Sequence, residues 1–396
     1  MDLALINGRV MTDRGLEEGL AVRVSGSRIV AVGPAATAAA DAQLRDLGGG
    51  LLLPGFIDIQ VNGGGGALFN ADPTAATIAA IGQAHRRFGT TGFLPTLISD
   101  DLLAVSAAIA ATRDAIAQQV PGVLGVHIEG PFLNPKRKGI HELSKLRRID
   151  EPAFDLLTSL DTGRTLVTLA PETTSPEMIG RLVRAGVVVS AGHTNAGYAA
   201  VRAALDQGLS GFTHLFNAMS PLTSREPGVV GAALEDPASW CSLIVDGHHV
   251  DPVVLRVALR CKPHDRFILI TDAMPSVGAD MTSFVLQGKT ITVKDGVCLD
   301  EHGTLAGSDL DMAGAVRNAM RLLGLDLADA SRMASRNPAE FLGLGDVVGR
   351  IAPGYRADLV LVNDDIQVLD SWIGGRDLAH SHDSGGAPLQ GHARHG

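Results

Sequence analysis

Glu129, His193 and His214 each stand at or beside the end of a short apolar run, in "GVLGVHIE", "GVVVSAGH" and "GFTHLF". Two imidazoles and one carboxylate can surround a divalent ion at bond lengths of about 2.0–2.2 Å and leave a fourth position open. That is the ligand set of a catalytic zinc-type site, whereas a structural site is closed by four protein ligands. Hydrolysis is the default chemistry of such a set. Other polar residues recur at the same kind of position: Gln60 and Asn62 in "FIDIQVNGGGG", Thr96 in "GFLPTL", Glu172 in "LAPE", Asp246 and His249 in "CSLIVDGHH", and Asp272 in "FILITD". Taken singly, a His or Glu at a strand end is more often a hydrogen-bonded structural residue than a ligand. The concentration of such residues is what points to a site.

The elements that must position them are legible from periodicity. From residue 55 to about 345, eight short apolar runs alternate with helical stretches such as "TAATIAAIGQAHRRFG" and "SPEMIGRLVRAG". That rhythm predicts βα units around a parallel sheet, and eight of them predict a (β/α)8 TIM barrel with its chemistry at the C-terminal strand ends. The third, fifth and sixth runs, which carry Glu129, His193 and His214, are then near neighbours on one rim. Before residue 55 the texture is different: "LALINGRVMT" and "LAVRVSGSRIVAVGP" are short β-rich runs broken by turn residues, and "GRIAPGYRADLVLVND" repeats that texture near the other end. Residues 1–54 and 346–376 are therefore expected to form one small β-sandwich domain built from both chain ends. The His- and Gly-rich segment 377–396 has little to bury and is expected to be a loose terminus.

Composition excludes several classes. A formal charge of −10 argues against a nucleic-acid or anionic-membrane partner, because either needs a basic face. The three cysteines lack C-x-x-C spacing, so neither a disulfide framework nor a thiolate cluster is indicated. No basic leader precedes an apolar stretch, and no window approaches 18 uninterrupted apolar residues, which together predict a cytoplasmic protein. The glycines of residues 63–66 lack the G-x-x-x-x-G-K-[ST] pattern, so a turn with close backbone approach is expected there, not a phosphate loop.

Eight motifs then occur in one order: "PGFIDIQVNG", "HIEGPFLNPKRKGIH", "LAPE", "SAGHTNA", "THLFNAMSPLTSREPG", "DGHHV", "TDAMPSVG" and "GTLAGS". With them the chain resembles the amidohydrolase superfamily and, within it, the N-acetylglucosamine-6-phosphate deacetylases, from the N-terminal β segment to about residue 375. The resemblance implies a barrel with a metal site, the composite β-sandwich and a homodimer. It implies release of acetate from N-acetylglucosamine-6-phosphate, a phosphorylated N-acetyl amino sugar. Two alternatives remain open: another N-acyl substrate such as N-acetylgalactosamine-6-phosphate, or a non-catalytic scaffold of the same fold.

The superfamily's first-strand H-x-H is replaced here by Gln60-x-Asn62. An amide cannot match the lone-pair donation of imidazole, so one divalent ion per subunit, zinc, is expected at Glu129, His193 and His214, with Gln60 and Asn62 near it or its water, or holding the strand end. By the same resemblance Asp272 is the general base and then acid, and His141 polarises the carbonyl. Asn217, the backbone of Ala218, Arg225 and His249 hold the sugar phosphate, with Arg225 able to reach across the dimer. Glu172 and Asp246 are read as supporting groups, and "KRK" at 136–138 as an exposed basic turn.

Overall fold

Eight runs that are buried along almost their whole length need cover on both faces, which a closed parallel sheet wrapped by helices provides. The computed structural model, which describes residues 2–377, has this form. Phe56–Val61, Thr90–Ile98, Gly125–Glu129, Arg164–Leu169, Val188–Ala191, Gly211–Phe212, Trp240–Ile244 and Phe267–Ile270 pair in chain order as one parallel eight-stranded sheet. They are the eight runs expected. Helices between them begin where the sequence offers caps: Thr74 accepts from Thr77 N ahead of Ala75–Arg86, and Ser175 from Met178 N ahead of Pro176–Arg184.

The first and eighth strands meet through side chains and one isolated parallel bridge, Val61 to Ala273. Asn62 N and Gly63 N both donate to Ala273 O, at 2.9 and 3.0 Å. Below that bridge Asp58, fully buried, accepts from Gln60 N, from Thr271 N and from the Thr271 hydroxyl. Burial pushes its carboxyl up to about 7 even against these three donors. One carboxylate thus ties the first strand to the last beside the catalytic end of the barrel.

Two further sheets draw on the chain ends. Arg28–Pro34, Leu20–Ser25, Leu3–Ile6 and Gln43–Asp46 form one; Arg376–Asp377, Val368–Ile373, Leu359–Val362, Leu51–Pro54, Arg9–Thr12 and Gly15–Glu17 form the other. In the second, Leu359 lies opposite Pro54, so strands from the two ends are neighbours. Leu5, Val22, Ile29, Leu52, Leu359 and Trp372 make a core shared by both sheets. The expected loose terminus lies, beyond Asp377, outside the described residues.

The middle of the chain departs from simple βα alternation. After the eighth strand, Ser283–Leu286, Lys289–Lys294, Val297–Leu299 and Leu305–Ser308 form a four-stranded antiparallel sheet before helix Met312–Leu323. Its signal was present in the alternation of "SFVLQGKTITVKDGVCL", with Q-G and D-G at the turns. Phe284, Leu286, Ile291, Cys298 and Ala306 pack with Leu68, Ile98, Ile140 and Met274, which seats this sheet at the barrel mouth.

The seam gives a first test. Asp58→Ala leaves Gln60 N, Thr271 N and the Thr271 hydroxyl without their buried acceptor, and should lower the unfolding free energy by about 1–3 kcal/mol. Chemical denaturation would measure it, and an unchanged midpoint and slope would show that the seam does not depend on Asp58.

Candidate active site

The third, fifth and sixth barrel strands end so that Glu129 Oε1 lies 3.1 Å from His193 Nε2 and 3.0 Å from His214 Nε2, with the two ring nitrogens 3.1 Å apart. All three residues are buried. His193 and His214 reach this point from left-handed backbone, φ 47° and 35°, a costly geometry for residues with a Cβ. His193 Nδ1 meets the carbonyl of Arg137 at 2.9 Å. A carbonyl only accepts, so Nδ1 carries the proton, and in the neutral ring Nε2 turns a lone pair toward the carboxylate. A carboxylate oxygen and an imidazole lone pair repel at this distance unless a cation lies between them. The donor set fits a divalent ion, and among the described residues these are the three whose ligand atoms cluster in this way. Burial raises the Glu129 carboxyl, and positive charge at the two facing rings, the charge that a bound cation would supply instead, outweighs burial and holds it well below the usual range. Burial would lower His214, and the same carboxylate raises it instead.

The Arg137 contact corrects the reading of residues 136–138 as an exposed basic turn only. Arg137 Nε also donates to Asn195 Oδ1 at 2.9 Å, so this turn holds the ring of His193 and the loop that follows it.

Gln60 and Asn62 are donors here. Gln60 Nε2 bridges Glu129 Oε2 and Asp272 Oδ1, at 3.1 Å each, and Asn62 Nδ2 donates to Asp272 Oδ1 at 2.7 Å. Gln60 therefore lies between the two carboxylates and orients both, while Asn62 orients Asp272. Asp272, at φ 54°, is pushed up to about 6 by burial and by the charge of Glu129. Of the glycines beyond Asn62, Gly65 and Gly66 make the expected turn with positive φ, while Gly63–Gly64 form a short strand paired with Ala67–Leu68, where a Cβ on Gly64 would stand 2.7 Å from the ring of His85.

His141 is buried in the loop after the third strand, with its ring 4.4 Å from that of His193. Ser99 N, which can only donate, points at His141 Nδ1 from 3.2 Å, and Ser99 Oγ lies 2.7 Å from the same atom. Nδ1 is therefore the acceptor and Nε2 carries the hydrogen. Burial and the neighbouring His193 hold the ring's pKa well below the ordinary value, so it is neutral. His249 is oriented by Asp246, whose Oδ2 lies 2.6 Å from Nδ1 and whose Oδ1 accepts from His248 N and His249 N. Glu172 accepts from Asn134, Thr194 and Asn195 N and so ties together the loops after the third and fifth strands. Thr96 accepts from Val61 N and holds the first strand end.

Glu129, His141, His193, His214, Asn217, Ala218, His249 and Asp272 line one cleft of about 130 Å³, together with Met274, Leu305 and Gly307. Three sequence-expected residues do not line it: Gln60 and Asn62, which bond to the carboxylates that do, and Arg225, which is exposed on the loop leading to helix Gly228–Glu235. Ser99, Gln287 and the Arg137 carbonyl were missed from the sequence; the signal for Ser99 was only a polar residue just beyond the second strand.

Comparison with known proteins agrees with this geometry. A model of the amidohydrolase family matches residues 51–378. The chain is 47% identical over 374 residues to an N-acetylgalactosamine-6-phosphate deacetylase of Shewanella sp. (strain ANA-3), covering 93% of this chain and 94% of that one. It is 35% identical over 379 residues to an N-acetylglucosamine-6-phosphate deacetylase of Haemophilus influenzae, covering 95% and 99%. Among solved structures it superposes on the N-acetylglucosamine-6-phosphate deacetylase of Pasteurella multocida with a TM-score of 0.92 and 36% identity, over 95% of this chain and 99% of that one. An Asp-to-Ala mutant of the Mycobacterium smegmatis enzyme, in complex with N-acetyl-D-glucosamine-6-phosphate, gives a TM-score of 0.87 with 34% identity, over 95% and 98%.

With amides at Gln60 and Asn62, elemental analysis should find about one tightly held divalent ion per chain, and His193→Ala or His214→Ala should lose it. Two ions retained equally through dialysis would contradict a single three-residue site.

Proposed function

The chain belongs to the amidohydrolase family, and from that premise we propose that it hydrolyses N-acetylglucosamine-6-phosphate to glucosamine-6-phosphate and acetate. The observation that carries this reading is the convergence of three functions on one cleft: a cation-binding cluster, a buried carboxylate at Asp272 and a neutral imidazole N–H at His141. The same convergence opposes the non-catalytic scaffold. A second reading, N-acetylgalactosamine-6-phosphate as substrate, is favoured by the 47% identity to the Shewanella enzyme.

Glu129, His193 and His214 would hold one divalent ion per subunit, zinc by ligand type. When bound, the ion supplies the Lewis acidity that makes water nucleophilic near neutral pH. Asp272 takes the proton of the attacking water and returns it to the departing amine. Both amide bonds to Asp272 end on Oδ1, which leaves Oδ2 for the proton. His141 Nε2–H donates to the acetamide oxygen as negative charge develops there, a donor worth about 10²–10³-fold in kcat at comparable sites. Asn217, Ala218 and His249 face the same cleft and are read as contacts to the sugar phosphate. Arg225 completes the phosphate site across a homodimer, in line with its exposure in the single chain. No helix among the described residues is long and apolar enough to cross a membrane, and the three cysteines are unpaired. The unpaired cysteines are what supports the reading of a reducing cytoplasm.

Asp272 must be ionised to act as base, so kcat/KM should rise with pH and level off once the carboxyl is deprotonated. The inflection should lie at or below about 6, because a cation bound nearby further favours the ionised form. Asp272→Asn should lower kcat by about 10²–10⁴ while metal and substrate still bind. Near-normal turnover by this variant would assign the proton transfer to another group.

Acetate release measured on N-acetylglucosamine, N-acetylglucosamine-6-phosphate and N-acetylgalactosamine-6-phosphate tests the substrate. The 6-phosphates should be strongly preferred, and Arg225→Ala should erase most of that preference in both kcat and KM, since remote binding is used for positioning. Mixed Arg225→Ala and Asp272→Asn chains should regain activity, because each heterodimer then has one intact site. Equal kcat/KM with and without the phosphate would overturn the assignment.

A further inference from the structure

We propose that Gln287, on the hairpin added after the eighth barrel strand, is a positioning residue that holds His141 in its carbonyl-facing orientation through Ser99. The inference rests on the reading of His141 given above. Gln287 Oε1 accepts from Glu142 N at 3.0 Å, and its Nε2 donates to Ser99 O at 2.5 Å. One side chain therefore grips the residue after His141 and the residue whose N–H and hydroxyl face His141 Nδ1. The grip joins three elements far apart in sequence: the loop after the second strand, the loop after the third, and the hairpin.

The turn that carries Gln287 argues that the side chain is there for this contact. Ser283–Leu286 and Lys289–Lys294 are joined by two residues, with Leu286 opposite Lys289, and Gln287 and Gly288 have φ 48° and 80°. That is the conformation for which Asn-Gly or Asp-Gly is the favoured pair, because a short polar side chain tolerates positive φ. Glutamine is a poorer choice for the backbone. It is one methylene longer than asparagine, and that length spans the gap from Ser99 O to Glu142 N. Gln287 is only half-buried, so replacing it leaves the hairpin core of Phe284 and Leu286 intact.

Gln287→Asn separates the two roles. It suits the turn but cannot bridge both loops, so the melting temperature should hold or rise while kcat on N-acetylglucosamine-6-phosphate falls about 10–100-fold, the range expected when a catalytic group is misplaced. KM and bound metal should be unchanged. A lowered melting temperature with unchanged kcat would make Gln287 an ordinary hairpin residue. The decisive arm is a double-mutant cycle with His141→Asn. Gln287→Asn, or Gln287→Met as an independent variant, should cost nothing further in that background. Equal losses in both backgrounds would show that Gln287 does not act through His141 and would overturn the proposal alone. Full activity of His141→Asn by itself would instead overturn the reading of His141, and the proposal with it.

Discussion

The structure depends on one electrostatic constraint: a buried carboxylate oxygen of Glu129 faces the Nε2 atoms of two buried histidines at 3.0–3.1 Å. In a low-dielectric barrel mouth the carboxylate needs compensating positive charge, and the Arg137 carbonyl, by holding the His193 hydrogen on Nδ1, leaves Nε2 to offer a lone pair to a cation that supplies it. Much of the surroundings keeps this cluster open to a cation. Gln60 satisfies the second oxygen of Glu129 without adding charge, and the loop after the third strand turns the backbone carbonyl of Arg137 onto the ring of His193.

Local strain accompanies the site. His193, His214 and Asp272 all leave their strands with positive φ, and Phe216 and Ala218 do so in the loop that follows His214. Each costs backbone energy that regular strand geometry would avoid, and His193, His214, Ala218 and Asp272 all line the cleft. The remaining structure absorbs that cost through burial of the eight strands and through the Asp58 and Ala273 contacts at the seam. The amides at Gln60 and Asn62 belong to the same economy of charge: two carboxylates, Glu129 and Asp272, share neutral donors at the position where imidazoles would bring a second cation.

Much of this was legible in the sequence because a parallel barrel writes its strands as apolar runs and its chemistry at their ends. Glu129, His193, His214 and Asp272 could be placed on one rim from that rule alone. The partners of these groups could not. Ser99 and His141 meet across two loops, Gln287 reaches both from the added hairpin, and Arg137 acts through a backbone carbonyl that no residue type announces. The hairpin itself was written in plain alternation, yet inside a chain whose dominant rhythm was βα. The exposure of Arg225 was equally invisible, since an arginine in a polar loop reads the same whether it lines its own cleft or faces outward.

The central claim is that one cation sits among Glu129, His193 and His214 while Gln60 and Asn62 serve as hydrogen-bond donors. Anomalous diffraction at the absorption edge of the metal found in the purified protein tests this directly. The account predicts one strong peak at about 2.0–2.2 Å from Glu129, His193 Nε2 and His214 Nε2, with Gln60 still bonded to Asp272. Two peaks of comparable height, or one peak coordinated by Gln60 or Asn62, would contradict it.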